Sequence, residues 1–116
     1  MSPTIDELLN EGNEAFSKAN FHQALNHYLR ALEMDPRHQV ALIKTGSAYY
    51  KLRDFPNAVK HLAQALETDP QNRDLLSMIG MVYVRSGDKP NALAIYDRLK
   101  KVHPDKAEQL YKEIYK

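Results

Sequence analysis

Five histidines, His22, His27, His38, His61 and His103, are the side chains here best suited to hold a metal or shuttle a proton, and their spacing serves neither purpose. There is no HExxH stretch and no pair at i and i+4, the spacing that turns two imidazoles toward one zinc ion on a helix. His27 and His61 stand 34 residues apart, as surface positions of successive similar units would. No cysteine is present, which excludes a thiolate nucleophile, a disulfide and a thiolate zinc site. Neither GxGxxG nor a P-loop pattern occurs to cradle phosphate. The basic run Arg98, Leu99, Lys100, Lys101 falls at a helix end, where cations complement the dipole, and is too short to mark a nucleic-acid surface. No catalytic residue, no metal ligand, no cofactor and no enzymatic activity are therefore expected.

Composition points the same way. Sixteen basic against fifteen acidic residues leave a net charge of +1 over 116 residues, which offers no general grip on nucleic acid. The charge is unevenly spread, with two basic and six acidic residues in 1–36 (net −4) and fourteen and nine in 37–116 (net +5). Such polarity can steer a partner or a second copy. The opening MSPTIDELLN has neither the basic region nor the apolar run of a signal peptide, and no stretch approaches the roughly 18 apolar residues of a membrane span. A cytoplasmic protein without membrane insertion is expected, although a section of a longer repeat protein, or a chain trimmed of its leader, would read the same.

The elements that position everything else come from a period of 34. Pro36, Pro70 and Pro104 keep that step, as do Gly12, Gly46 and Gly80, Ala24, Ala58 and Ala92, and Leu8, Leu42 and Leu76. Residues 21–36 written over 55–70 agree at eight of sixteen places without a gap. Three units follow, 5–38, 39–72 and 73–106, with a tail at 107–116, all within one domain spanning 1–116. Apolar residues recur with helical period and no run alternates as a half-buried strand would, so each unit is predicted to be two helices. The first can start at Thr4, paired with Glu7 as a capping box, or at Ser2 with Pro3. Asn20, Asp54 and Asp88 are placed to cap the second helices. Pro56 and Pro90 sit in their first turns, and Pro36, Pro70 and Pro104 end them, because the residue before a proline is pushed out of the helical region.

Small residues predict how the hairpins pack. Glycine inside a helix costs roughly 1 kcal/mol against alanine, so its recurrence at Gly46 implies a close crossing, with Ala58 as the facing surface. Leu42, Gly46 and Tyr49 share one stripe of a first helix, as do Leu76, Gly80 and Tyr83. Tyr28, Ala31, Leu62, Ala65, Tyr96 and Leu99 form the stripe of the second helices. One hairpin cannot bury all of this, so neighbours must stack.

The middle unit, with Leu42, Gly46, Tyr49, Ala58, Leu62, Ala65 and Pro70, closely resembles the tetratricopeptide repeat, and the resemblance covers 5–106. Departures are Ala15 in place of the tyrosine, Lys89 in place of the aromatic at Phe21 and Phe55, and Leu99 in place of Ala31 and Ala65. The resemblance implies an all-α fold of seven helices in a right-handed superhelical stack, closed by a helix over 107–116 that buries Ala107, Leu110 and Ile114. It also implies binding, since the first helices of such repeats line a concave groove that holds a peptide or helix of another protein.

A second stripe on the first helices shows such a face independently, through Leu9, Asn13 and Phe16, then Val40, Ile43, Ser47 and Tyr50, then Ser77, Met81 and Val84. Lys44 and Met78 border it. Some of these residues, Phe16 and Tyr50 above all, could equally bury against the next unit. The chaperone carboxylate clamp of this family would carry over as Lys at Leu9, Asn at Asn13, Asn at Lys44, Lys at Asp74 and Arg at Met78. Only Asn13 agrees, and an acidic Asp74 repels a carboxylate. Acidic chaperone tails are not the expected ligand; an apolar or amphipathic segment is, with methionines for adaptable contact. The module is thus expected to be adaptor-like or co-chaperone-like. The alternative is a self-assembling scaffold, a homo-oligomer in which the acidic first unit of one copy meets the basic end of another.

Overall fold

The computed structural model describes residues 2–116, and seven helices make up the regular structure of those residues. They are α1 (Ile5–Ser17), α2 (Phe21–Met34), α3 (Gln39–Lys51), α4 (Phe55–Leu66), α5 (Arg73–Ser86), α6 (Lys89–Val102) and α7 (Pro104–Ile114). They divide into two compact units, one running up to Gln64 and the other covering Ala65–Lys116.

Helix boundaries follow local chemistry. Thr4 caps α1 as a full capping box, its Oγ1 accepting from the Glu7 amide at 3.1 Å while its own amide donates to Glu7 Oε1 at 3.2 Å. Asp54 and Asp88 cap α4 and α6, accepting from the amides of Asn57 and Asn91 and from their side-chain NH₂ groups as well. Asn20 makes no side-chain cap bond. It is a neutral amide, with Gln23 three residues on, where the other repeats have a carboxylate followed by asparagine, and a charged acceptor makes the stronger bond.

The turns inside the hairpins share one geometry. In the first, the Ala19 amide donates to the Phe16 carbonyl and the Asn20 amide to the Ala15 carbonyl, the paired bonds of a Schellman ending. Arg53 with Asp54 and Gly87 with Asp88 repeat it. This ending needs a left-handed residue, and φ is +61° at Ala19, +63° at Arg53 and +77° at Gly87. Only the third repeat uses glycine there.

In the first unit the core joins Leu8, Leu9 and Ala15 of α1, Ala24, Tyr28 and Ala31 of α2, and Ala41 and Ala48 of α3. A Cβ on Gly12 would lie 2.4 Å from Tyr28 Cε1, so the glycine is what lets the ring lie against α1. The expected crossing of Gly46 with Ala58 is present, since a Cβ at Gly46 would stand 3.2 Å from the Ala58 carbonyl and 2.6 Å from Leu62 Cγ. Thr45, fully buried, has no hydrogen-bond partner for its hydroxyl among the described residues.

The second unit buries Leu75, Leu76, Ile79 and Val82 of α5, Ala92, Ile95 and Leu99 of α6, and Ala107 and Leu110 of α7. Ile114 is half-buried. Gly80 here admits Leu110 of the closing helix, whose Cδ2 lies 2.6 Å from where a Cβ would be. The closing helix begins at Pro104, three residues ahead of the expected 107. Proline is pre-organised for a first helical position, and His103 caps it by accepting from the Lys106 amide through Nδ1 at 3.1 Å. His38 caps α3 in the same way through the Ala41 amide, and Asn72 caps α5 through the Leu75 amide. Lys89, which replaces an aromatic, places its ammonium 4.6 Å from the ring centroid of Tyr115, the C-cap residue of the closing helix.

Candidate functional site

A cleft of about 290 Å³ opens in the first unit, lined by Asn13, Phe16 and Ser17 of α1, Tyr28 of α2, and Ile43, Lys44 and Ser47 of α3. The residues come together because Asn13 and Ser17 are one turn apart on α1, as Ile43 and Ser47 are on α3. Phe16 and Ile43 form apolar walls. Phe16 is held by an edge-on contact with Phe21, ring centroids 5.1 Å apart. Asn13 is oriented from beneath, because the Tyr28 hydroxyl donates to its Oδ1 at 2.7 Å, and the amide NH₂ then serves as the donor end. Burial holds the Tyr28 phenol above its ordinary pKa of 10.0, so it remains a donor through neutral and mildly alkaline pH. Lys44 adds a cation and Ser17 and Ser47 add hydroxyls. The cleft thus sets two apolar walls beside an amide donor and an ammonium.

Five of the twelve expected groove positions therefore share one cleft: Asn13, Phe16, Ile43, Lys44 and Ser47. Leu9 lies elsewhere, 6% exposed, in the core shared by α1, α2 and α3, because its position on α1 turns it inward. Val40 is 46% exposed at the start of α3. Tyr50 is half-buried and packs against Phe55, ring centroids 6.0 Å apart, across the hairpin turn. In the second unit Ser77, Met78, Met81 and Val84 are all half-buried along α5. Ser17 and Tyr28 were not expected in the cleft. Ser17 stands at i+4 from Asn13, a signal the stripe already contained, whereas Tyr28 faces both the core and the cleft, which residue type alone does not reveal.

At the clamp positions, Asp74 pairs with Lys106 at 3.5 Å, and Leu9 is buried. A second hollow of about 260 Å³ lies between α1 and α2, lined by Glu11, Glu14, Ala15, Lys18, Asn20, Gln23 and His27. It marks the place of the missing tyrosine, since Tyr49 in the next repeat packs on His61 at 5.3 Å between ring centroids, whereas Ala15 sets no ring against His27, whose Nδ1 instead lies 3.2 Å from Glu11 Oε2. Among the described residues no three His, Cys, Asp or Glu side chains are grouped to hold a metal, and no helix is long and apolar enough to cross a membrane.

Among the described residues, seven helices in paired hairpins with glycine at each tight crossing define a helical-repeat protein. The tetratricopeptide repeat family matches residues 9–72 and again 43–107, and the chain belongs to that family, a class of protein–protein interaction modules. No curated protein sequence matches it. Among solved structures, the TPR2B domain of yeast Sti1, solved with an Hsp70 peptide, is similar with a TM-score of 0.83 and 21% identity over 96% of this chain and 95% of that one. The second such domain of human RPAP3, in complex with the HSP70 peptide SGPTIEEVD, gives 0.80 and 19% over 97% and 98%. A tetratricopeptide repeat protein from Parabacteroides merdae gives 0.85 and 20% over 95% of this chain and 44% of that one.

Proposed function

We propose that this chain is an adaptor module, acting by binding and not by catalysis, which holds an apolar or amphipathic segment of another protein on its first-helix face. The observation that carries this reading is the cleft of about 290 Å³, where Phe16 and Ile43 offer apolar walls and Asn13 and Lys44 offer donors. A large apolar residue of the ligand fills it while a main-chain carbonyl or neighbouring carboxylate meets the amide and the ammonium. The Met78 and Met81 face of α5 is a second surface of the same kind, adaptable because methionine repacks easily.

The solved relatives from yeast and human were seen with chaperone peptides. Several charges that would hold such an acidic end are missing here, with Leu9, Asp74 and Met78 at three positions where cations are required. The better ligand is one with a single acceptor beside an apolar anchor. Two labelled peptides test this by fluorescence anisotropy: SGPTIEEVD and an amphipathic helix bearing Leu and Phe at i, i+4 and i+7 with one flanking Asp. The amphipathic peptide should bind at least about tenfold tighter, and Ile43→Asp should weaken it by a similar factor, since a buried charge in the anchor site is unpaired. Lys60→Ala on α4 is the control. Tighter binding of SGPTIEEVD would overturn the ligand class.

A further inference from the structure

Three tyrosines of the second unit form a ladder that the core does not absorb. Tyr96 and Tyr111 pack with tilted rings at 5.2 Å, and Tyr111 and Tyr115 do the same at 4.8 Å, between ring centroids. Tyr111 and Tyr115 remain 44% and 52% exposed, among the largest apolar side chains left in solvent. A cation stands at each end, Lys89 at 4.6 Å from the Tyr115 ring and Lys100 at 5.7 Å from the Tyr96 ring. Residues 89–116 hold seven basic and four acidic residues. At the other end of the sequence, α1 exposes Asp6, Glu7, Glu11 and Glu14 and contains no basic residue.

We propose that the tyrosine ladder with its lysines is a docking face for α1 of a second copy of this chain. Tyrosine fits the centre of such an interface, because it buries a large rigid area at little entropic cost, and rings in mutual contact already hold one another in place. The lysines at the ladder's ends meet the carboxylates of the incoming helix, and opposite charge on the two surfaces sets the direction of pairing. Like surfaces would repel, acidic α1 against acidic α1, which excludes a symmetric pairing of the first helices. The contact joins unlike surfaces, so each copy keeps one of each for a further neighbour. The face shares no residue with the cleft, and its test is independent of the cleft's.

Sedimentation equilibrium on the whole chain and two variants decides the matter. The wild type should associate as concentration rises, and raising salt from about 0.05 M to about 0.5 M should weaken the association about tenfold, as screening of exposed charges requires. Tyr111→Ala with Tyr115→Ala, and separately Glu11→Lys with Glu14→Lys, should each leave a monomer. Mixed in equal amounts, the two variants should form a 1:1 dimer, because each retains the surface the other has lost. Circular dichroism checks the fold, and Tyr115→Ser alone replaces the double tyrosine variant if that one unfolds. A wild type monomeric throughout, an associating tyrosine variant, a mixture that stays monomeric, or a glutamate variant that still associates would each overturn the proposal, the last in favour of pairing between two tyrosine faces.

Discussion

The Tyr28 hydroxyl donates to Asn13 Oδ1 at 2.7 Å while the edge of the same ring occupies the space beside Gly12. One buried side chain thus supports the tightest crossing of the first unit and orients a polar group of the cleft. Substitution at the three crossings should reveal how rigid each neighbour is. Gly12→Ala places a methyl 2.4 Å from an aromatic ring carbon, and Gly46→Ala places one 2.6 Å from the Leu62 branch point. At Gly80 the nearest atom is the free end of Leu110. Urea titration should show the first two losing about 1–3 kcal/mol, and Gly80→Ala losing less, because a leucine tip can turn away and alanine favours the helix by roughly 1 kcal/mol.

Alkaline pH should act through Tyr28. Its folded pKa is raised by burial above the unfolded value of 10.0, so the folded state keeps a proton that the unfolded state releases. Stability is therefore level below that unfolded value and falls as pH rises through it toward the folded pKa. Tyr28→Phe should flatten this alkaline decline in urea titrations at successive pH values, while losing about 0.5–1.5 kcal/mol at neutral pH with the bond to Asn13. An equal alkaline slope in both proteins would refute the assignment.

The left-handed residues make a third case. Ala19 and Arg53 hold φ of +61° and +63° where the third repeat has Gly87. Ala19→Gly should stabilise by about 0.5–1 kcal/mol, the relief of the left-handed Cβ less the added freedom of the unfolded chain. Arg53→Gly should gain less, because the Arg53 guanidinium lies 5.3 Å from the Phe55 ring centroid and that contact is lost. Gly87→Ala should cost about 1 kcal/mol from backbone strain alone, since a Cβ there meets nothing within 4 Å.

The hollow beside Ala15 predicts a stabilising change. Ala15→Tyr should place a ring over His27, as Tyr49 stands over His61, and raise stability by about 0.5–2 kcal/mol through cavity filling. Thermal melting checks this. A lowered midpoint would mean that the hollow is too narrow for the ring.

Much of the fold was legible in the sequence because a gapless 34-residue period ties distant positions to one geometry, so Gly46 facing Ala58 could be read without coordinates. The Thr4 and Glu7 box was legible because both partners are local. What escaped depended on finer balances. Asn20 was expected to cap as Asp54 and Asp88 do, and the difference lies in charge. The start of α7 moved to Pro104 because His103 served as a cap, a use of imidazole that spacing rules for metal sites do not suggest. The positive φ at Ala19 and Arg53 was hidden by residue types that ordinarily avoid it. In the cleft, α1 and α3 supplied their expected members, but Leu9 turned inward and Tyr28 reached through from the core, and both depend on how a helix is rotated by the neighbours it packs against.

The most direct test of the binding account is amide chemical-shift mapping of the whole chain titrated with the unlabelled amphipathic peptide. The account predicts saturable shifts centred on Asn13, Phe16, Ile43, Lys44 and Ser47, lost in Ile43→Asp. Shifts centred on the outer side of α4 around Lys60, or no saturable shift near the cleft, would contradict it.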